Sequence, residues 1–219
     1  MTRTQSERLT LRPVTTSDVD DLFRIYGDPA TNTFNPAGPY PNPTHAKTIL
    51  ARWVSHWNEN AFGNWAISLH EAPEKVIGFG GLSISTYAGI TINNLGYRFA
   101  TEAWGKGLAT EFSRYAVRYG FEKFQLEAIS GVVRGNHLAS QKVLMKAGLK
   151  YVREISDIDN APPVCCLLSP LMSGAVNDRC LHKRFKMLLS VYIVGVLVYR
   201  RLPEVAHQQG SAASVAEPG

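Results

Sequence analysis

The sequence predicts a mixed α/β fold, and three observations predict it. Short runs rich in aromatic and β-branched residues alternate with amphipathic stretches whose apolar residues recur at helical spacing. Their order is β, α, α, β, β, β, α, β, α, β, with one further candidate strand, and this departs from the regular βαβα series of a doubly wound sheet. The composition, 45% apolar and 19% charged over 219 residues, supports a sizeable core in one domain, or in one domain with an appendage. It excludes bulk disorder and collagen-like order, and no internal repeat is present.

The elements follow in order. Leu9 and Leu11 alternate with polar neighbours as in a half-buried strand, which Pro13 stops. Thr16 or Ser17 then caps a helix with Asp18 in its first turn, and Val19, Leu22, Phe23 and Tyr26 form one helical face. Gly27-Asp28-Pro29 ends it, and the four prolines and one glycine of residues 31–43 predict a loop. Thr44 is the expected cap of a second helix carrying Leu50, Trp53, Val54 and Trp57 on one face. Trp65 to Leu69, Val76 to Ser83 and Ile90 to Phe99 read as strands. A helix from about Leu108 to Tyr119 follows a glycine-rich turn, with Leu108, Phe112, Tyr115, Ala116 and Tyr119 as its buried stripe. Glu127 to Val133 is a strand, and Ala139, Val143, Leu144 and Ala147 mark a helix closed by Gly148. Tyr151 to Ile155 is a strand, and Val164 to Leu168 is the candidate last one.

The rest of the chain differs. Residues 1–160 carry 17 basic and 15 acidic residues, whereas residues 161–219 carry 6 and 3. The near-neutral core lacks the basic face of a nucleic-acid binder and favours a small ligand or a peptide. Residues 187–199 form a 13-residue apolar run between basic clusters. As a helix it would reach only about 20 Å against roughly 30 Å of hydrocarbon, so no transmembrane span is expected. A buried element or a membrane-surface segment fits it better, and His207 to Gly219 reads as a disordered end. Cys165, Cys166 and Cys180 have no disulfide or zinc spacing, and Cys165 and Cys166 sit in an apolar run as packing residues. With no apolar run near the N-terminus, no secretory signal is expected, and a cytoplasmic location follows.

Chemistry concentrates in residues 96–111, GYRFATEAWGKGLATE. A strand, a glycine-rich turn and a helix N-terminus together build an anion site. Glycines allow close backbone approach, and the unpaired N–H groups and positive dipole end of the helix favour phosphate. Lys106 adds charge and Thr110 a hydroxyl. The spacing fits neither a P-loop nor the dinucleotide fingerprint, and a plain strand-to-helix turn stands beside the anion reading.

A second segment, residues 134–149 (RGNHLASQKVLMKAGL), joins the first. Together with the opening Glu7-Arg8-Leu9-x-Leu11-Arg12-Pro13, the two segments resemble the GNAT N-acetyltransferase superfamily. They are most similar to its ribosomal-protein N-terminal (alanine/serine) acetyltransferase branch, over residues 6–156. The resemblance implies a mostly antiparallel central sheet, splayed in the middle, with helices on both faces. It implies a catalytic domain over residues 6–170, while residues 171–219 match nothing in the family and are expected to be an atypical, partly disordered tail. It also implies acetyl-CoA as cosubstrate, no metal, and an amine acceptor, either a protein N-terminus or a small molecule, that attacks the thioester directly. The pyrophosphate is expected on the amides of Trp104, Gly105, Lys106, Gly107, Leu108 and Ala109, with Thr110 adjacent. The pantetheine is expected along Phe99 and Ala100, with an N–H of that strand as oxyanion donor. Ser140 matches the family serine beside the coenzyme A sulfur, which implies a catalytic role as proton donor to, or hydrogen-bond partner of, the leaving thiolate; its other reading is a hydroxyl bonded to its own helix. A monomer or homodimer is expected.

Three departures stand out. His137 occupies the usual asparagine position and Asn136 falls one residue early, so His137 is a ligand contact, a base or a helix-start residue. Asn93-Asn94 replaces the glutamate that many relatives use as base, leaving His137, Glu154, Asp157 or water for that role. Leu149 replaces the usual aromatic after Gly148. Phe34, Tyr40, Trp53 and Trp57 are candidates for the acceptor cleft and equally for the core, and no acidic cluster there points to a polycationic acceptor. Two other readings remain: a non-catalytic acyl-CoA binding module, and a membrane or nucleic-acid module acting through the basic tail.

Overall fold

The computed structural model describes residues 3–87, 89–156 and 163–170, all within the unit Met1–Met172. The expectations for Asp157, Cys180, the run at 187–199 and the boundary at 170/171 fall outside the described residues.

Eight strands make one sheet in the order β1-β2-β3-β4-β5-β6-β8-β7. They are β1 (Thr4–Gln5), β2 (Leu9–Pro13), β3 (Asn64–Leu69), β4 (Ala72–Tyr87), β5 (Ile90–Phe99), β6 (Ala128–Arg134), β7 (Lys150–Ile155) and β8 (Val164–Pro170). Neighbours run antiparallel except β5 and β6, which are parallel and meet at a single pair, Asn94 with Ser130. β5 is paired with β4 along its whole length, from Ile90 opposite Tyr87 to Phe99 opposite Gly78. The sheet is thus mostly antiparallel and splayed in the middle, as expected.

Four α-helices flank it: α1 (Val19–Tyr26), α2 (Pro43–Asn60), α3 (Leu108–Phe124) and α4 (Leu138–Lys146). The alternation of β5 shows which helices cover which face. Tyr97 and Phe99 point to one face and meet Phe112 of α3 at 6.3 and 6.2 Å between ring centroids. Arg98 points to the other and lies over the Tyr26 ring of α1, which also meets Trp53 of α2. Leu9 and Leu11 of β2 are fully buried with Trp65, Phe79 and Phe112 at the centre of the core. Leu149 is buried as well, against Leu144 and beside Gly131.

Boundaries moved where side chains compete for the backbone. A 3-10 turn, Thr16–Asp18, precedes α1, because the Asp18 carboxylate accepts from the Thr15 amide at 2.7 Å and from both Arg12 Nη atoms at 2.8 and 2.5 Å. Asn42, not Thr44, caps α2: its Oδ1 accepts from His45 N at 2.9 Å, and Pro43 takes the first helical position, where no N–H is needed. The strand expected at 76–83 extends to Ala72 and Tyr87, and α3 runs on to Phe124. Phe112→Ala is expected to cost about 3–5 kcal/mol, the usual loss for a buried Phe truncated to a cavity, measured by denaturant unfolding.

Candidate active site

The site begins where β5 and β6 part. Two side chains hold the fork: Asn93 Nδ2 donates to Ala128 O at 3.1 Å, and Asn94 Oδ1 accepts from Val132 N at 3.3 Å. Beyond Asn94, no described strand pairs with β5 on its β6 side, and a cleft of about 820 Å³ opens along Leu95 to Phe99. The asparagines at the place of the family glutamate are therefore spent on joining two strands.

The end of β5 leads into the anion cradle. Trp104 Nε1 donates to Phe99 O at 2.9 Å and fixes the turn. Gly105 and Gly107 take left-handed φ angles of 74° and 76°, which side chains disfavour by about 1–2 kcal/mol. A Cβ at Gly105 would meet nothing within 4 Å, and one at Gly107 only Arg8 Nη2 at 3.8 Å, so both sites border open space. Gly107 caps α3 and its carbonyl accepts from the Thr110 and Glu111 amides. The amides of Gly105, Lys106, Gly107, Leu108 and Ala109 have no acceptor among the described residues. Five free donors at a positive helix end fit a pyrophosphate.

A brace outside this segment steadies the cradle. Arg8 donates through its backbone N and Nε to the Glu111 carboxylate, each at 2.7 Å, and through Nη1 to Lys106 O at 3.1 Å. Ser6 Oγ donates to the same carboxylate at 2.7 Å. Burial pushes the Glu111 carboxyl up, but these hydrogen bonds and the Arg8 charge outweigh it and hold the group below its ordinary range.

Opposite the β5 edge stand α4 and the loop after α1. His137 is the N-cap residue of α4, and Ser140 lies one turn on, with Ser140 Oγ 2.9 Å from His137 Nε2. Phe34 stacks on the His137 ring with centroids 4.0 Å apart. Burial lowers the His137 pKa from its ordinary 6.5, which favours the neutral ring, and Nδ1 is buried without a hydrogen-bond partner. Tyr97 also lines the cleft, where burial pushes its phenol up to about 12 and the Ser140 hydroxyl counters part of that rise.

Of the residues singled out in the sequence, Phe99, Trp104, Gly105, Gly107, Leu108, Ala109, Thr110, His137 and Ser140 line this cleft. Ala100, Lys106 and Asn136 do not. The Ala100 amide donates to Ile77 O at 2.9 Å, Lys106 is exposed and gives its carbonyl to Arg8, and Asn136 is exposed. Glu154 is exposed on the outermost strand β7 and is no part of the lining. Among the four loop and helix aromatics, Phe34 is in the cleft, Trp57 is in the core, and Tyr40 and Trp53 pack against the core. Cys165 and Cys166 are buried away from the cleft, and burial raises both thiols. Sequence reasoning missed Arg8, Phe34 as a stacking partner, Tyr97 and Arg98. The last two were foreshadowed only by the alternation of β5. Among the described residues no helix is long and apolar enough to cross a membrane, and no group of His, Cys, Asp and Glu could hold a metal.

Residues 8–150 match the acetyltransferase (GNAT) domain family. The chain is 28% identical over 159 residues to the uncharacterized protein YkkB of Bacillus subtilis, covering 70% of this chain and 88% of that one. It is 24% identical over 148 residues to the uncharacterized N-acetyltransferase YoaA of the same organism, covering 67% and 81%. Among solved structures, the ribosomal-protein-S5-alanine acetyltransferase of Vibrio fischeri superposes with a TM-score of 0.62 at 18% identity, covering 80% of this chain and 100% of that one. The chain belongs to the GNAT acetyltransferase family, whose members acetylate amines from acetyl-CoA.

Gly105→Val is expected to weaken acetyl-CoA binding at least tenfold, since a β-branched residue strains the turn at its positive φ and so displaces the free amides. Calorimetry on a folded variant reads this; unchanged affinity would remove the cradle from the binding site.

Proposed function

We propose that this chain is an acetyl-CoA-dependent N-acetyltransferase with residues 6–170 as its catalytic domain, in which the acceptor amine attacks the thioester without a covalent enzyme intermediate. The observation that carries the reading is the fork: the open β5 edge, four of the five residues with free amides (Gly105, Gly107, Leu108 and Ala109) and the His137–Ser140 pair all line one cleft. Acetyl-CoA supplies the activated acetyl group. The amides of Gly105 to Ala109 hold its pyrophosphate, and the main chain of Leu95 to Phe99 pairs with the pantetheine and offers an oxyanion donor.

The chain's own groups then handle the protons. With Nε2 protonated, His137 donates to Ser140 Oγ and keeps Nδ1 as its free acceptor; because Nδ1 is buried, a small turn of the ring on acceptor binding brings it to the proton of the attacking amine. Ser140 passes its hydroxyl proton to the departing sulfur and is restored by His137 Nε2–H, so one proton leaves the amine and one reaches the thiolate. Tyr97, whose phenol stays protonated at neutral pH, is a second donor beside Ser140. The α-amine of a peptide N-terminus, with a pKa near 8, is neutral more often at pH 7 than a lysine near 10.4. The opening Arg8–Pro13 motif and the likeness to the Vibrio fischeri enzyme support an α-amine acceptor of the ribosomal-protein branch type, on a protein N-terminus or a small molecule.

An acetyl-transfer screen against peptides and small amines, with mass detection, tests the reading. Tight acetyl-CoA binding with no transfer to any amine would replace it with a non-catalytic acyl-CoA binding module. Ser140→Ala is expected to lower kcat about a hundredfold, the typical worth of a positioned acid. Its acetyl-CoA affinity should fall by less than about tenfold, the worth of one hydrogen bond. The pH profile of kcat/KM should rise through an inflection below 6.5, as the His137 imidazolium loses its proton, and His137→Ala should erase that inflection.

A further inference from the structure

Two charged side chains line the cleft, Arg98 and Arg134, and Arg98 has no part in holding the cosubstrate or moving protons. Arg98 lies on β5 between Tyr97 and Phe99 and lines the cleft from the opposite strand face, the one covered by α1 and α2. Its guanidinium stacks on the Tyr26 ring, with Cζ 4.3 Å from the centroid. Nη1 donates to Asn32 Oδ1.

Asn32 is itself fixed. It is 5% exposed, and its Nδ2 donates to Tyr26 O and Asp28 O, each at 2.8 Å. Its Oδ1 also accepts from Asn35 Nδ2 at 3.0 Å, which ties Arg98 to the loop that lines the acceptor side. The guanidinium is therefore held by one face and one N–H, while a guanidinium has five donors in a rigid fork. Among the described residues no carboxylate pairs with Arg98, and the cleft lining contains no Asp or Glu.

A held, partly buried cation without a counter-ion, in a cleft without carboxylates, repels a polycation and matches an anion. We propose that Arg98 selects an acceptor that carries its own carboxylate: a small amino acid whose amine is acetylated while its carboxylate lies bidentate on the Arg98 fork. This rests on the acetyltransferase reading above and narrows its acceptor. Because Arg98 leaves the same strand whose open edge faces the thioester, an anion held there keeps a nearby amine at the β5 edge. The stacking on Tyr26 and the bond to Asn32 fix the plane of the fork before the acceptor arrives, so little side-chain freedom is lost on binding.

The test compares matched acceptors with the full chain at saturating acetyl-CoA. A panel of L-amino acids, glycine and β-alanine is set against the corresponding amino acid amides, with spermidine and a neutral-side-chain peptide N-terminus as further arms. The acids are expected to exceed their amides by about ten- to a hundredfold in kcat/KM, chiefly through KM, as a charge-assisted pair requires. Arg98→Gln should bring that ratio close to one, and Arg98→Lys should restore only part of it, since the charge returns without the fork. A ratio near one in the unmodified protein, or spermidine or the peptide as the best acceptor, would overturn the proposal and leave the acetyltransferase reading standing. Calorimetric binding of an N-acetyl amino acid and of its amide to the coenzyme A-loaded protein reads the same preference without turnover. A protein that acetylates nothing but binds the acid ten- to a hundredfold tighter contradicts the catalytic reading and upholds the role of Arg98. Equal affinities overturn the role of Arg98 whether or not the protein turns over.

Discussion

The open edge of β5 is the constraint on which the site depends. One side of this strand is paired with β4 from end to end, while the other touches β6 only at Asn94 and Ser130. A sheet interior ordinarily leaves no main-chain group unpaired, because an unsatisfied buried N–H or C=O costs as much as a lost hydrogen bond. Here the fork exposes such groups to a cleft wide enough for a long, flexible ligand. The side chains of Asn93 and Asn94 keep the fork from either zipping shut or opening further, each bonding main chain of β6. That use gives Asn93 and Asn94 a structural task, and on the proposed mechanism the proton-accepting role passes to His137.

The rest of the site is arranged around that edge. The strand runs directly into the Gly105 to Gly107 turn, so the open β5 edge and the free amides at the α3 N-terminus are continuous. Arg8 ties the turn to the first hairpin through Glu111 and Lys106, which gives the N-terminal strands a share in the shape of the anion cradle. On the far wall, Phe34 stacks on His137, so the loop after α1 supports that ring. The alternation of β5 then separates two tasks: Tyr97 faces Ser140 and α3, while Arg98 faces the aromatic layer of α1 and α2.

Features set by neighbours in sequence were legible, and features set by neighbours in space were not. The segment from Gly96 to Glu111 declares its strand, turn and helix start locally, because glycine, helix periodicity and the unpaired first amides all act within a few residues. Ile90 to Phe99 was read to its observed bounds for the same reason. The position of β8 between β6 and β7 was not readable, since a pairing that skips a strand leaves no mark in a period-two pattern. Asn42 displaced Thr44 as the α2 cap because a proline at the first helical position decides the start. The sequence leaves His137 open as a helix-start residue, a base or a ligand contact, and it does begin α4. Only the fold shows that this helix start also meets Phe34 and the cleft. Tyr97 and Arg98 were present in the quoted segment, yet which face each would serve depended on which helices cover β5.

The most direct test of the central claim is a titration of the full chain with coenzyme A, followed by backbone amide NMR. If the fork and the cradle form the cosubstrate site, the largest shifts will fall on Gly105 to Ala109 and on Leu95 to Phe99, with smaller ones at Ser140. Absence of binding at millimolar coenzyme A, or shifts confined to another surface such as the Lys47 and Arg52 face of α2, would contradict it.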